Sequence, residues 1–191
     1  MTKDEIRKII YEKRKNITKY EVKNQSNIIC KNLIVNLLPI IVAKYNSKNS
    51  INIALYKAMN NEVDLTYLDN YCQKNNFTIC FPRIKKHELE FIKPSNYHKF
   101  IANNKFKQLL EPEYGYIITP DIIITPLIAF DKNLNRIGYG KGYYDKMFTK
   151  LKKDFTSIGI AYDWQKTEES INFSNYDQKL HYIVTKTKIY S

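Results

Sequence analysis

Asp121-Ile-Ile-Ile-Thr125 places three isoleucines in a row with no polar residue between them. A strand with one wet face alternates apolar and polar side chains. A short, unbroken β-branched run instead belongs to a strand covered on both faces. Such a strand needs helices above and below the sheet, and the flanking segments supply them. Thr2-Lys-Asp-Glu5 has the spacing of a capping box, with Thr at the N-cap and Glu at N3, and opens a helix to about Asn16. Thr18-Lys-Tyr-Glu21 repeats that signal and opens a second helix to about Leu38. Asp64 to Lys74 and Tyr143 to Lys152 complete the helices. Further strands are expected at Ile51–Tyr56, Phe77–Phe81, Leu89–Ile92, Ser157–Tyr162 and Tyr182–Thr185. The lysine-rich stretch up to Pro112 reads as loop with a short helix. Alternation of apolar strands with helices gives an α/β fold, a three-layer α/β/α arrangement on a mainly parallel central sheet. At 191 residues, without repeats or a low-complexity linker, the chain reads as a single domain.

Several classes fall away. The longest apolar run, Leu33 to Ala43, is interrupted by Asn36 and Pro39 and is too short to cross a bilayer. Met-Thr-Lys-Asp-Glu at the start has no apolar segment of the signal-peptide kind. Cys30, Cys72 and Cys80 form no CxxC pair and leave an odd thiol, which fits reduced cysteines in a cytoplasm. His87, His98 and His181 lack metal-ligand spacing and read as structural or surface residues. The net charge of +12 favours anionic ligands. With 16 tyrosines it also keeps a rival class open, a basic nucleic-acid-binding protein without catalytic activity. Against that class, the aromatics are dispersed and no RNP-like, KH-type or helix-turn-helix pattern is visible. Of 31 basic residues only Arg7, Arg14, Arg83 and Arg136 are arginine. In a lysine-biased chain those four are the sharper clue.

Three of the five glycines fall at alternate positions in Arg136-Ile-Gly-Tyr-Gly-Lys-Gly-Tyr-Tyr-Asp145. Glycine admits positive φ and lets backbone N–H groups approach a ligand closely. Successive N–H groups ahead of a helix form an anion nest. The segment is not a Walker A loop, because no Gly-Lys-Ser/Thr follows four variable residues. It is not the dinucleotide fingerprint either, since Tyr143 stands where the third glycine belongs. Arg136 can grip phosphate bidentately and Asp145 can hold a divalent cation. The simplest chemistry for this set is a nucleotide phosphate with its metal. Lys3, Arg7 and Arg14 share one helix face at offsets of 4 and 7, so Lys3 and Arg7 are candidates to reach the phosphate tail. Glu62 lies just beyond a strand end, where α/β folds place ligand groups, and Asp177 is a candidate second metal carboxylate.

Taken together, the chain resembles the 5-formyltetrahydrofolate cyclo-ligase family nearly end to end. The match runs from Lys3-x-x-Ile-Arg7 with Arg14 through Asn61-Glu-Val-Asp64, Phe81-Pro-Arg83, Leu89-Glu-Phe91 and Glu111-Pro112. It is strongest in Pro126-Leu-Ile-Ala-Phe-Asp131 and the glycine segment, and closes with Ile160-Ala-Tyr162 and Asp177. The resemblance implies ATP- and Mg²⁺-dependent cyclisation of 5-formyltetrahydrofolate to 5,10-methenyltetrahydrofolate, with release of ADP and phosphate. In the family's mechanism the formyl oxygen is phosphorylated to an N5-iminium phosphate, N10 attacks that carbon, and loss of phosphate completes the ring.

Carried onto this chain, the resemblance assigns ATP to Lys3, Asp4, Glu5, Ile6 and Arg7 and to Arg136, Ile137, Gly138, Tyr139, Gly140, Lys141, Gly142, Tyr143 and Tyr144. Tyr139 to Tyr143 also line the folate side, Glu62 bonds the pterin, and Lys57 lies in the same pocket. Asp145 and Asp177 hold Mg²⁺. Three positions depart from the pattern. Lys57 stands where the family more often has an apolar residue, Gln108-Leu-Leu110 replaces a glycine before Glu111-Pro112, and Lys141 replaces a glycine common in bacterial members. The implied partners are small molecules, reduced folate and ATP, with no specific nucleic acid, no membrane and a monomeric state. Arg136 is expected to face phosphate and not the core.

Overall fold

The fold is described from a computed structural model, which describes residues 1–45, 47–151 and 155–191. Two helices, α1 (Lys3–Asn16) and α2 (Lys19–Asn36), open the chain, each closed at its N-terminus by a complete capping box, on Thr2/Glu5 and Thr18/Glu21. The second helix stops short of Leu38. Pro39 stands inside the next short helix, α3 (Leu38–Val42), where its missing N–H is harmless in a first turn. Strand β1 (Asn52–Ala54) leads through a long loop to α4 (Thr66–Lys74). There follow β2 (Thr78–Lys85), β3 (Glu88–Pro94), β4 (Phe100–Ala102), β5 (Leu110–Pro112), β6 (Gly115–Ile117) and β7 (Ile122–Pro126). A two-residue hairpin, β8 (Ala129–Phe130) with β9 (Arg136–Ile137), precedes α5 (Tyr143–Leu151). The chain closes with β10 (Thr156–Ile160), β11 (Tyr182–Val184) and β12 (Ile189–Tyr190).

Eight of these strands form one sheet in the order β12-β11-β10-β7-β1-β2-β3-β6. The five from β11 to β2 run parallel, while β12, β3 and β6 join antiparallel at the edges. The isoleucine run is β7, a central strand. Ile122 and Ile124 point into the core shared with α2, α3 and α4, and Ile123 points into the opposite core beside Phe148 of α5. Both faces of that strand are therefore apolar, as an unalternating run requires. The α1 helix packs Ile10 against Ile128, Ala129 and Ile137 around the β8–β9 hairpin. The expected α/β/α layering on a mainly parallel sheet is what the chain adopts.

Three local expectations differ. The stretch before Pro112 carries the β4–β5 hairpin and no helix. The strand expected to end at Phe81 runs on through Pro82 and Arg83, which lie opposite Phe91 and Glu90 of β3. The segment from Pro126 to Asn135, where no strand is expected, contains β8. Lys152, the expected last residue of α5, lies outside the described residues.

Candidate active site

A cavity of about 470 Å³ opens at the C-terminal ends of the parallel strands. There a doubly wound sheet leaves room between its loops. The loop after β1 contributes Tyr56, Lys57 and Glu62; β2 contributes Pro82 and Ile84; the glycine segment forms a further wall from Arg136 to Asp145. Lys3 and Arg7 of α1 and Asp177 complete the polar rim.

Two glycines of the segment have positive φ, Gly140 at +83° and Gly142 at +65°. That conformation is disfavoured for other L-residues and turns the backbone sharply into the first turn of α5. The Arg7 guanidinium packs over Gly140, 3.4 Å from where a Cβ would stand, and its Nε donates to the Gly138 carbonyl at 2.9 Å. The first helix is thereby clamped to the glycine loop. Lys3 lines the cavity as well, but Asp4, Glu5 and Ile6, the other α1 residues assigned to ATP, do not. Asp4 pairs with Arg7 at 2.5 Å, Glu5 completes the capping box, and Ile6 packs on the Ile10 cluster.

Arg136 is not held at the cavity surface by a free guanidinium. It is buried, donates to Asp145 Oδ1 at 2.8 Å and to the Gln178 carbonyl, and lies 4.9 Å above the Phe148 ring. Burial acts to lower its pKa and the Asp145 carboxylate opposes that. The expectation that Arg136 stands clear of the core is not met: it lines the cavity, but it is buried and anchors α5. Lys3 Nζ meets Asp177 Oδ2 at 2.6 Å. Burial works against the charge on Asp177, but Lys3 and the Ser174 N–H and hydroxyl outweigh it and hold the carboxyl below its usual range.

Asp145 and Asp177 line the same cavity. The Gln178 N–H and Arg136 both converge on Oδ1 of Asp145, and Lys3 and Ser174 both converge on Oδ2 of Asp177. Among the described residues, the second oxygen of each carboxylate accepts no hydrogen bond. Two carboxylates on one cavity are a hard oxygen donor set of the kind that suits Mg²⁺.

Glu62 sits at the inner end of the cavity. Asn60 and Asn61, at φ +50° and +55°, form the left-handed turn that aims it inward, a conformation asparagine tolerates. Its carboxylate accepts from the Met59 N–H at 3.0 Å and from the Tyr139 hydroxyl. Arg14 NH1 lies 3.9 Å away and donates to the same hydroxyl at 3.0 Å. Burial pushes the Glu62 pKa up, while Arg14, Tyr139 and the Met59 N–H pull it back. Lys57 is accommodated at its apolar-type position by rings, 4.5 Å above Phe81 and 4.7 Å above Phe100, with Asp69 at 3.5 Å. Cation–π contact lets an ammonium occupy a site otherwise suited to an apolar side chain.

Tyr56, Ile84, Leu89, Phe106 and Leu109 also line the cavity, although none was a site candidate in the sequence. Phe106 and Leu109 belong to the lysine-rich stretch, whose short strands give no readable period. Arg14 did carry a signal, being one of four arginines among 31 basic residues.

Comparison with known proteins agrees with this geometry. A family model described as the 5-formyltetrahydrofolate cyclo-ligase family matches residues 1–186. A 5-formyltetrahydrofolate cyclo-ligase of Mycoplasma genitalium is 32% identical over 188 residues, covering 95% of this chain and 96% of that protein. The solved 5,10-methenyltetrahydrofolate synthetase of Mycoplasma pneumoniae superposes with a TM-score of 0.77 at 25% identity, over 97% of this chain and 99% of that one. The Aquifex aeolicus 5,10-methenyltetrahydrofolate synthetase gives 0.78 at 26% identity, over 100% and 92%. With the glycine loop, the buried Glu62 and the paired aspartates in one cavity, the chain belongs to the 5-formyltetrahydrofolate cyclo-ligase family of enzymes.

Proposed function

We propose that this chain cyclises 5-formyltetrahydrofolate to 5,10-methenyltetrahydrofolate at the expense of ATP. The observation that carries the reading is the meeting, in one cavity, of a glycine loop with positive φ at Gly140 and Gly142 and a buried pterin-type acceptor at Glu62. A carboxylate that is buried and aimed inward suits a ring bearing amino and N–H donors. The glycine loop, Lys3 and Arg7 suit a triphosphate.

In this arrangement Glu62 holds the pterin and the loop N–H groups hold the phosphate tail, so the formyl oxygen of the folate meets the terminal phosphoryl group. That oxygen takes the terminal phosphoryl group as ADP leaves, N10 bonds to the formyl carbon and gives up its proton to solvent, and the C–O bond breaks with release of phosphate. No side chain needs to act as a nucleophile; the protein contributes position and positive charge. Arg136 and Lys3, released from Asp145 and Asp177, would face the phosphate oxygens. Asp145 and Asp177 would hold Mg²⁺, which neutralises phosphate charge when bound. The net charge of +12 then serves to draw in two anionic substrates and does not require a nucleic acid. Among the described residues no single helix is long and apolar enough to cross a membrane, and the bent α2–α3 pair buries Ile29, Leu33, Leu38 and Ile41 in the core. We propose a monomer in the cytoplasm, a location supported by three buried, unpaired thiols.

The test is spectrophotometric. Protein, 5-formyltetrahydrofolate and Mg²⁺ should develop the near-ultraviolet absorbance of the methenyl product only when ATP is added. Absence of that absorbance, with folate and ATP both bound, would remove the cyclo-ligase reading.

A further inference from the structure

Arg14 does not line the cavity, yet two residues that do depend on it. Its side chain is 3% exposed; NH2 donates to the Leu127 carbonyl at 2.6 Å and NH1 to the Tyr139 hydroxyl at 3.0 Å. Nε finds no acceptor among the described residues. Burying a guanidinium with an unmatched N–H is unfavourable for stability, and an apolar side chain of similar volume fills such a place at no greater cost. A role other than packing is therefore indicated.

Hydrogen-bond direction supplies that role. A guanidinium can only donate, so the Tyr139 hydroxyl must accept from Arg14. A phenol has one proton, and with Arg14 on its lone pair that proton points to Glu62 Oε1. Glu62 must then present a bare oxygen to Tyr139, while its other oxygen accepts the Met59 N–H. The groups facing Glu62 from the elements around it are Arg14 and Tyr11 from α1, Tyr56 after β1, Tyr139 from the glycine segment, Tyr144 from α5 and Tyr162 after β10. Burial pushes every one of these phenols upward, so each stays neutral near pH 7 and Arg14 alone among them carries positive charge.

We propose that Arg14 is a positioning residue that, through Tyr139, keeps Glu62 an acceptor-only carboxylate and so selects a ligand edge made of donors. The proposal deepens the reading of Glu62 as the pterin acceptor and rests on it for the identity of the ligand. It adds that the tyrosine at the centre of the glycine segment is oriented from behind, so the folate side and the phosphate side share one hydrogen-bonded chain.

The experiment follows 5-formyltetrahydrofolate binding without ATP, between about pH 6.5 and 9, in wild type, Arg14→Met, Arg14→Gln and Arg14→Lys. Removing the Arg14 charge takes away a pull that opposes burial, so the Glu62 pKa moves upward. The protonated share of Glu62 then grows at the acid end of this range and shrinks as pH rises. Wild type should vary little over this range. Met and Gln variants should bind at least about tenfold more weakly near neutrality and recover toward the alkaline end, one pKa unit being about tenfold. Lys should restore most of the affinity. In a Glu62→Gln background, Arg14→Gln should cost nothing further. An infrared arm needs no folate. Arg14→Gln at neutral pH should show a carboxylic-acid C=O band that wild type lacks and that Glu62→Gln removes. A loss of affinity equal at all pH values, or no new infrared band, would overturn the proposal. If wild type binds no folate but the band appears, Arg14 still controls Glu62 and the error lies in the ligand.

Discussion

At Gly140 the backbone has φ +83° and the Arg7 guanidinium crosses it at 3.4 Å from the site of a Cβ. Gly140→Ala therefore meets a conformational cost of about 1–2 kcal/mol together with a contact on Arg7. A small fall in melting temperature and a large rise in KM for ATP are expected, and thermal melts beside steady-state kinetics would check both. Arg136 behaves differently because it is buried in its own right. Arg136→Ala leaves the Gln178 carbonyl without its donor and Asp145 with the Gln178 N–H alone, a loss of about 3 kcal/mol when one partner of a largely buried pair is removed. For a chain of this size that corresponds to roughly 6–12 °C in melting temperature, alongside the loss of turnover. An unchanged melting curve would contradict the anchoring role. The type and spacing of these residues were legible in the sequence because glycine is so scarce here. The burial of Arg136 was not, since nothing local to it announces that Phe148 lies 4.9 Å below its guanidinium.

Among the elements, α1 does the most for the site. Its capping box holds the first turn in which Lys3 stands, and Arg7 ties the helix to the Gly138 carbonyl. Thr2→Ala removes the side-chain half of that box, worth about 1 kcal/mol of helix stability. Fraying there loosens the turn that holds Lys3 at the cavity, so ATP affinity should fall while folate affinity holds; equal loss of both would mean that α1 serves the whole fold and not the phosphate side. Both long helices could be read from Thr2-Lys-Asp-Glu5 and Thr18-Lys-Tyr-Glu21, because a capping box is a local, side-chain-to-backbone device. The β4–β5 hairpin and β6 could not. Each is three residues long, too short for a period, and is fixed by pairing partners distant in sequence such as Lys93 with Tyr116. The end of β2, expected at Phe81, was hidden for a related reason. Proline reads as a strand end, yet it sits opposite Phe91 inside β2.

For the molecule as a whole, the three thiols report its integrity. Cys30, Cys72 and Cys80 are buried in the two large cores, and burial pushes Cys30 and Cys72 up to about 12 and raises Cys80 as well. Since the thiolate is the reactive form, alkylation near pH 8 should be negligible in the native protein and complete in denaturant. Ready labelling of any one in the native state would show that its core opens locally. The layered α/β class was legible from the isoleucine run. The strand order was not, because register between distant segments leaves no mark on either one. It is that order which sets β7, β1 and β2 side by side and brings Glu62 to face the glycine loop. The joining of the two substrates across that gap is most directly tested by labelling the formyl oxygen of 5-formyltetrahydrofolate with ¹⁸O and turning it over with ATP and Mg²⁺. The label should appear in the released phosphate, one atom per methenyl product. Label found in water, with unlabelled phosphate, would contradict phosphorylation of the formyl oxygen.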